Sequence, residues 1–221
     1  MEFSRLYENL SKWFPSPSEC VGAYDIPVIA PTSEPDVTEW IPFNDISKPF
    51  KATQGIHMFV DDYRMKRLWA QPDRYLAILE LAGCVASPDF SIYQDTPEAL
   101  NIYCHYMKHW LAAYWQSYGI KVIPTMGWGT KKSFSWCFDG EPQNSTVIVS
   151  SIGWGKEKDI SGFMRGYDAM LEKLTPSKIL FYGQVFDECR GNIQKINPFY
   201  NIVAKRRKGK ADACDEFATI P

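Results

Sequence analysis

The chain of 221 residues has the length of one globular domain with decorations, and 45% of its residues are hydrophobic, enough for a sizeable core. Its formal net charge of −2 provides no overall positive field that would attract nucleic acid. No secretory signal is visible, and no apolar run reaches the ~18 residues of a membrane span. The six cysteines show no CxxC spacing, as is typical of reduced thiols. We therefore expect a cytoplasmic protein that does not contact a membrane.

The two ends of the chain differ from its middle in composition. Residues 1–50 are rich in proline and acidic residues, and contain short extended pieces such as YDIPVIA and WIPF. They are predicted to form an N-terminal arm that packs on a core of residues 51–204. Residues 205–221 begin with five positive charges in six positions, Lys205–Lys210, and are predicted to form a basic, mobile tail.

Short apolar runs alternate with helical patterns through the core. The runs, which resemble strands buried on both faces, are GIHMFV (55–60), GCVAS (83–87), IKVIP (120–124), TVIVSS (146–151) and KILFYG (178–183). Helices are predicted over 73–83, 95–119 and 159–176. Repeated βα units predict an α/β fold with a parallel central sheet, either doubly wound or an irregular, incomplete βα barrel. The even unit lengths and the lack of a Gly-rich phosphate loop favour the barrel.

The helix over 95–119 has the strongest pattern. Asp95 and Glu98 are spaced as in a capping box, and Gly119 can close the helix. One apolar face is predicted from spacings of three and four: Leu100, Tyr103, Met107, Leu111, Tyr114 and Tyr118. His105 and His109 could bind zinc if a third ligand came from elsewhere, but their polar flank favours a solvated helix face.

Several blocks occur in an order that resembles a known family. The blocks are GIHMFVDDYR, SPDFSIY, WLAAYWQSYGIKVIPT, SFSWCFDGEPQNS and ILFYG, within residues 40–185. They resemble a domain-of-unknown-function family found in phages and mobile elements of Gram-positive bacteria. The resemblance implies a phage or mobile-element origin, and it brings neither a reaction nor catalytic residues.

Polar and aromatic residues follow the predicted strands, at the edge where parallel α/β folds bind ligands. Asp61, Asp62 and Asp89 are the candidate catalytic residues, because carboxylates at strand ends can bind Mg²⁺ or act as acid and base. The alternative is structural: Asp62 would cap a helix, Asp89 would form an Asx turn, and Arg64 would pair with a neighbour. The identity of a bound metal is left open, and Mg²⁺ is the ion that such carboxylates would bind.

The remaining candidates are ligand-binding residues. They are Tyr93, Thr125, Trp128, Ser150, Trp154, Tyr182 and Gln184. Trp128 and Trp154 each lie in a Gly-Trp-Gly segment directly after a strand. The segment SFSWCFDG (133–140) alternates aromatic and small residues, which predicts extended structure that either walls the cleft or plugs an open barrel.

Three functional classes follow from this face. Aromatics beside carboxylates suit a nucleotide or short nucleic acid, which the protein would bind or process. The alternatives are a non-catalytic protein that captures a host protein or a signalling nucleotide, and a carbohydrate-active barrel. Whether the protein is an enzyme is left open, because no Walker, GxSxG, zinc-deaminase or zinc-ribbon motif is present.

Overall fold

The computed structural model describes residues 18–33, 35–154 and 160–196. Its strands are β1 (Cys20–Val21), β2 (Ile26–Pro27), β3 (Glu39–Pro42), β4 (Gln54–His57), β5 (Cys84–Ala86), β6 (Val122–Ile123), β7 (Thr125–Met126), β8 (Thr146–Ser150), β9 (Lys178–Tyr182) and β10 (Ile193–Ile196). Its α-helices are α1 (Asp62–Ala70), α2 (Leu76–Leu79), α3 (Glu98–Ser117) and α4 (Ser161–Leu174). Strands β1 and β2 form a small antiparallel pair, and the other eight strands run parallel to their neighbours.

The parallel strands form two four-stranded sheets that meet at Pro124. One sheet has the order β3-β4-β5-β6, and the other has the order β10-β9-β8-β7. Proline has no N–H to donate, so the ladder changes partners there: β6 pairs with β5, and β7 pairs with β8. The carbonyl of Pro124 still accepts the N–H of Ile148 at 2.9 Å. The two sheets are therefore connected through one stretch of chain, in which β6 of the first sheet leads through Pro124 into β7 of the second.

Alternating side chains place the strands between two apolar layers. In β8, Val147 and Val149 pack outward on α4, and Ile148 between them faces inward. The inner apolar cluster contains both Trp40 of β3 and Ile196 of β10, and these two strands are the outer edge strands of the two sheets. The inner face therefore curls on itself, yet β3 and β10 do not pair in the described residues. The predicted α/β fold with a parallel sheet is confirmed, and the sheet is not a closed barrel.

All five predicted strands are present, and three further strands accompany them in the parallel sheets. These are β3, which arises from WIPF, β7, which continues β6 beyond Pro124, and β10. Residues 39–42 of the predicted arm thus belong to the sheet itself. The helix predicted over 159–176 is α4, and its residues Phe163, Tyr167, Met170 and Leu174, which recur at spacings of three and four, are buried.

The long helix α3 differs from its predicted form at both its start and its faces. It begins at Glu98 after Pro97, with no side-chain capping bond, so the predicted capping box is wrong. Leu100 and Tyr118 of the predicted apolar face are each 55% exposed. The predicted solvated flank is wrong as well, because His105 and His109 are fully buried. Pro27 and residues 139–141, distant in sequence, cover that flank.

Two other segments also fold differently from their sequence patterns. Residues 73–83 form a 3₁₀ turn, Pro72–Tyr75, and only one α-helical turn, α2. The segment predicted to be extended begins inside a 3₁₀ helix, Lys131–Ser135, and continues in turns. It lies between α3 and α4: Trp136 donates to Glu98 at 3.0 Å, and Lys173 lies over the Phe138 ring.

The basic tail, residues 205–221, lies outside the described residues. The domain boundaries at residues 50 and 205 stay predictions. Among the helices that the structure describes, none has both the length and the apolar character required to cross a membrane.

Candidate functional site

A cavity of about 970 Å³ opens at the carboxyl ends of the strands. The chain segments that follow β4, β5, β7 and β8 form its wall, and α4 closes one side through Phe163. Its volume lies near the upper end of the ~300–1,000 Å³ that ligand pockets occupy. Eight of the ten candidate residues line it: Asp61, Asp62, Asp89, Tyr93, Trp128, Ser150, Trp154 and Tyr182.

The two tryptophans of the Gly-Trp-Gly segments pack on the same helix, at glycines one turn apart. A Cβ added at Gly166 would lie 2.2 Å from the Trp128 ring, and one at Gly162 would lie 3.0 Å from the Trp154 ring. Phe163, between these glycines, contacts both indoles, with centroid distances of 5.3 and 5.9 Å. Trp128 is buried and Trp154 is half-buried, so Trp154 presents more of its ring to the cavity.

The glycines that flank the tryptophans have unequal roles. Gly153 has φ +91°, a left-handed conformation that glycine adopts without strain. Gly127 and Gly129 have no positive φ. A sharp turn therefore explains the glycine at 153 but not those at 127 and 129.

Two of the three aspartates are held by specific partners. The Asp62 carboxylate accepts bonds from the Ser91 backbone N–H, at 3.3 Å, and from the Ser91 hydroxyl, at 2.9 Å. It begins α1 but makes no capping bond, so its structural role is to fix the segment after β5. Asp61 is exposed and pairs with Arg64 at 3.2 Å, as the structural alternative predicts for Arg64.

Asp89 lies deepest of the three, and it hydrogen-bonds to no other residue in the described parts of the chain, so the predicted Asx turn is absent there. Burial raises the pKa of its carboxyl to about 7; Lys108 opposes this rise, and the neighbouring Asp62 adds to it. The carboxyl of Asp89 is therefore partly protonated near neutral pH, beside an Asp62 carboxylate that the backbone N–H and the hydroxyl of Ser91 hold in place.

Stacked rings form the base of the cavity. Tyr182 stacks on Phe59 with a centroid distance of 4.6 Å, and His57 packs against both rings. Burial lowers the pKa of His57 to about 3, so its ring is neutral at physiological pH. Neither ring nitrogen has a hydrogen-bond partner among the described residues.

Two candidate residues do not line the cavity. Thr125 is buried, and its hydroxyl donates to the Ser87 carbonyl at 2.7 Å. Gln184 is exposed, and its backbone N–H donates to the Ser151 hydroxyl. Conversely, the lining residues Phe59, Ile92, Gln94 and Phe163 were not among the sequence candidates. Phe59 carries a sequence signal that would have found it, because it lies near the carboxyl end of a predicted strand, directly before Val60 and the Asp pair.

A second cavity of about 430 Å³ adjoins the first and shares Tyr93 and Gln94 with it. Its lining adds Lys131 and Lys132, both exposed. Neither lysine forms an ion pair with a described residue. The second cavity therefore brings positive charge to the side of an aromatic, acidic pocket.

A cavity at the carboxyl edge of two joined parallel sheets, which do not close into a barrel in the described residues, defines a parallel α/β protein. The chain belongs to the family described as "Domain of unknown function (DUF4417)", which residues 18–200 match. It is 35% identical over 217 residues to the "Gene 1 protein" of Mycobacterium phage D29, covering 94% of this chain and 77% of that protein. It is 37% identical over 203 residues to the "Gene 1 protein" of Mycobacterium phage L5, covering 90% and 87%. No solved structure matches the chain.

Proposed function

We propose that the cavity at the carboxyl edge binds a nucleotide or a short nucleic acid. The observation that carries the proposal is the pairing, within one cavity of about 970 Å³, of a half-buried indole with two neighbouring carboxyl groups. The base would stack on Trp154, and the phosphates would lie toward Asp62 and Asp89. The phage-associated family is consistent with such a ligand but does not name one.

The aromatic wall suits a planar ring. Phe163 and Trp154 make an edge-to-face contact, and the Trp154 ring packs against α4 at Gly162, which has no side chain. Rings fixed in this way lose little conformational freedom when a base stacks on them, and stacking on an aromatic side chain contributes about 1–3 kcal/mol per base. Because every base has a π-face, this wall alone would not select among bases.

The carboxyl groups require a cation if phosphates approach them. In phosphate-handling sites, Mg²⁺ uses one or two protein carboxylates and completes its shell with water and substrate phosphates. Asp62 and Asp89 supply that number of carboxylates. Asp89, which has no described partner and a raised pKa, would lose its proton when the ion binds. Mg²⁺ binding would therefore be weaker below pH 7, where Asp89 is increasingly protonated.

The adjoining cavity extends the proposal beyond a single nucleotide. Lys131 and Lys132 lie on the far side of Tyr93 and Gln94 from the carboxylates. A further phosphate of an oligonucleotide would find positive charge there, and such a contact would weaken with salt. A dinucleotide or short single strand should consequently bind more tightly than a mononucleotide.

Calorimetry with a panel of mononucleotides and short oligonucleotides, with and without Mg²⁺, tests the proposal. We expect binding to require Mg²⁺. Each of the substitutions Asp89→Asn and Trp154→Ala should weaken this binding at least tenfold. Asp168→Asn is the control for the carboxylate, because Asp168 is exposed on α4 and pairs with Arg190 outside the cavity. Trp69→Ala is the control for the indole, because Trp69 is half-buried against Trp110 elsewhere.

Absence of binding by the whole panel, at millimolar ligand and with folded protein, would reject the nucleotide proposal. Equal weakening by the control and cavity variants would also reject it, because the loss would then reflect stability alone.

One observation also favours a sugar ligand. Asp89, with a pKa raised to about 7, lies near the Asp62 carboxyl, and a carboxylic acid with a raised pKa beside a second carboxyl group is typical of glycoside-cleaving sites. Aromatic walls bind sugar faces as well as bases. An oligosaccharide panel in the same calorimetry separates the two candidates, since sugar binding would need neither Mg²⁺ nor Lys131.

A further inference from the structure

A second polar cluster lies behind the cavity, between α3, β2 and the turn at residues 139–141. Its members are His105, Lys108 and His109 of α3 together with Glu141, and none of them is more than 8% exposed. One ligand atom each from His105, His109 and Glu141 lies within 4.8 Å of the other two. None of these residues lines either cavity.

Backbone carbonyls decide which ring nitrogens carry protons. His105 Nε2 lies 3.1 Å from the carbonyl of Asp139, and His109 Nδ1 lies 2.8 Å from the carbonyl of Pro27. A carbonyl can only accept, so each of these nitrogens must donate. In a neutral imidazole the other nitrogen then bears a lone pair, which leaves His105 Nδ1 and His109 Nε2 as acceptors.

The cluster consequently holds more acceptors than donors. His109 Nε2 lies 3.1 Å from Glu141 Oε1, so two acceptors face each other. His105 Nδ1 and Glu141 Oε2 are buried without a partner among the described residues. Lys108, the cation within the cluster, donates to Glu141 Oε1 and to the Thr125 carbonyl. Unpaired buried acceptors destabilise a fold, so a cation bound among them would satisfy several at once.

We propose that His105, His109 and Glu141 bind one divalent transition-metal ion, for which Zn²⁺ is the best match. The ion would take His105 Nδ1, His109 Nε2 and Glu141 Oε2. Two imidazoles and one carboxylate are a set that zinc sites use, and both imidazoles already donate their other N–H to a carbonyl, as metal-bound histidines do. The proposal is independent of the nucleotide site.

The charges of the cluster admit such an ion. Burial lowers the pKa of His105 and of His109, which keeps both rings neutral and free to coordinate. Burial opposes ionisation of Glu141, but the Lys108 ammonium outweighs it and holds the pKa of that carboxyl below its usual value. Asp139, beside the cluster, interacts electrostatically with Lys173 and with His109.

The site would join segments that are far apart in sequence. Gly140, at φ +75°, brings Glu141 to the cluster, and a Cβ there would lie 2.6 Å from the Pro27 carbonyl and 2.8 Å from His109 Nδ1. The backbone of Gly140 also accepts the N–H of Ile29 at 2.9 Å. A bound ion would therefore fasten the segment around β2 and the 139–141 turn to α3, which is a structural role.

Metal analysis of the tag-free, full-length protein tests the proposal. After chelator treatment and exposure to excess Zn²⁺, we expect one zinc per chain by mass spectrometry and a melting temperature that rises with Zn²⁺. His105→Ala and Glu141→Gln should each abolish stoichiometric zinc. His57→Phe, which alters a buried histidine outside the cluster, should retain it.

Histidine ¹⁵N NMR of the wild-type protein keeps the test decisive if the variants do not fold. The chain has three histidines, so three rings give signals. Zn²⁺ should shift the signals of His105 and His109 and leave His57 unchanged. A His109 ring that shows the imidazolium signature and no response to Zn²⁺ would overturn the proposal, because a proton would then fill the gap between His109 and Glu141.

Discussion

Replacing Gly166 with alanine should destabilise the protein, although alanine is the better helix former. In an exposed helix interior the change would stabilise by roughly 0.5–1 kcal/mol. Here the new Cβ would lie 2.2–2.3 Å from three atoms of the Trp128 indole, so the ring must move by about 1 Å or more. Phe163 holds that buried ring from the side, and overpacking of this kind typically costs about 1–3 kcal/mol. Since the cost exceeds the gain, we expect a net loss of about 1–2 kcal/mol.

Urea melts of the wild type and of Gly166→Ala measure this difference directly. Thermal melts should show a fall of about 2–8 °C, given about 2–4 °C per kcal/mol for a domain of this size. Gly162→Ala is the matched control, because its Cβ would meet the half-buried Trp154 at 3.0 Å, a ring with more room to shift. It should change the stability by less than half as much. A Gly166→Ala protein as stable as the wild type would refute the packing of Trp128 on α4.

Three further substitutions have expected outcomes of their own. Burial raises the pKa of Asp89 to about 7, so the contribution of this residue to stability falls as pH rises from about 4 to about 7; relative to the wild type, Asp89→Asn should melt at a higher temperature at pH 8 and not at pH 4. Burial lowers the pKa of His57 to about 3, so the contribution of His57 falls as pH drops from about 6.5 towards 3, and the melting temperature of His57→Phe relative to the wild type should rise as the pH is lowered from 7 to 4. Trp128→Ala should lose about 3–5 kcal/mol in urea melts, and Trp154→Ala clearly less, because Trp128 is the more deeply buried; equal losses would contradict this difference.

The position of the cavity could be predicted from local patterns. Unbroken apolar runs separated by helical segments require parallel strands, and parallel strands bring all their carboxyl ends to one edge. Asp62, Asp89, Trp128 and Trp154 each follow such a run, and for this reason they line one cavity. The apolar face of α4 was equally predictable, since its buried positions recur at spacings of three and four.

The chemical state of these residues could not be predicted in the same way. Asp61 and Asp62 are neighbours in sequence, yet Asp61 pairs with Arg64 at the surface while Asp62 bonds to Ser91, 29 positions away. The raised pKa of Asp89 results from burial and from Asp62, and it is opposed by Lys108, which belongs to a different element. A pKa is set by surrounding atoms in space, and sequence spacing does not report those atoms.

The sequence by itself determined the parallel sheet, the edge at which the cavity opens and the buried face of α4, because each follows from the pattern of apolar and polar residues along a local stretch of chain. The tertiary structure alone decided that the polar flank of α3 is buried. His109 meets Pro27 from 82 positions away and Glu141 from 32, and a helix pattern carries no information about which distant segment will cover it. A polar flank that would otherwise be hydrated becomes a closed cluster of imidazoles and a carboxylate only when those segments exclude water and leave its lone pairs to be satisfied from within.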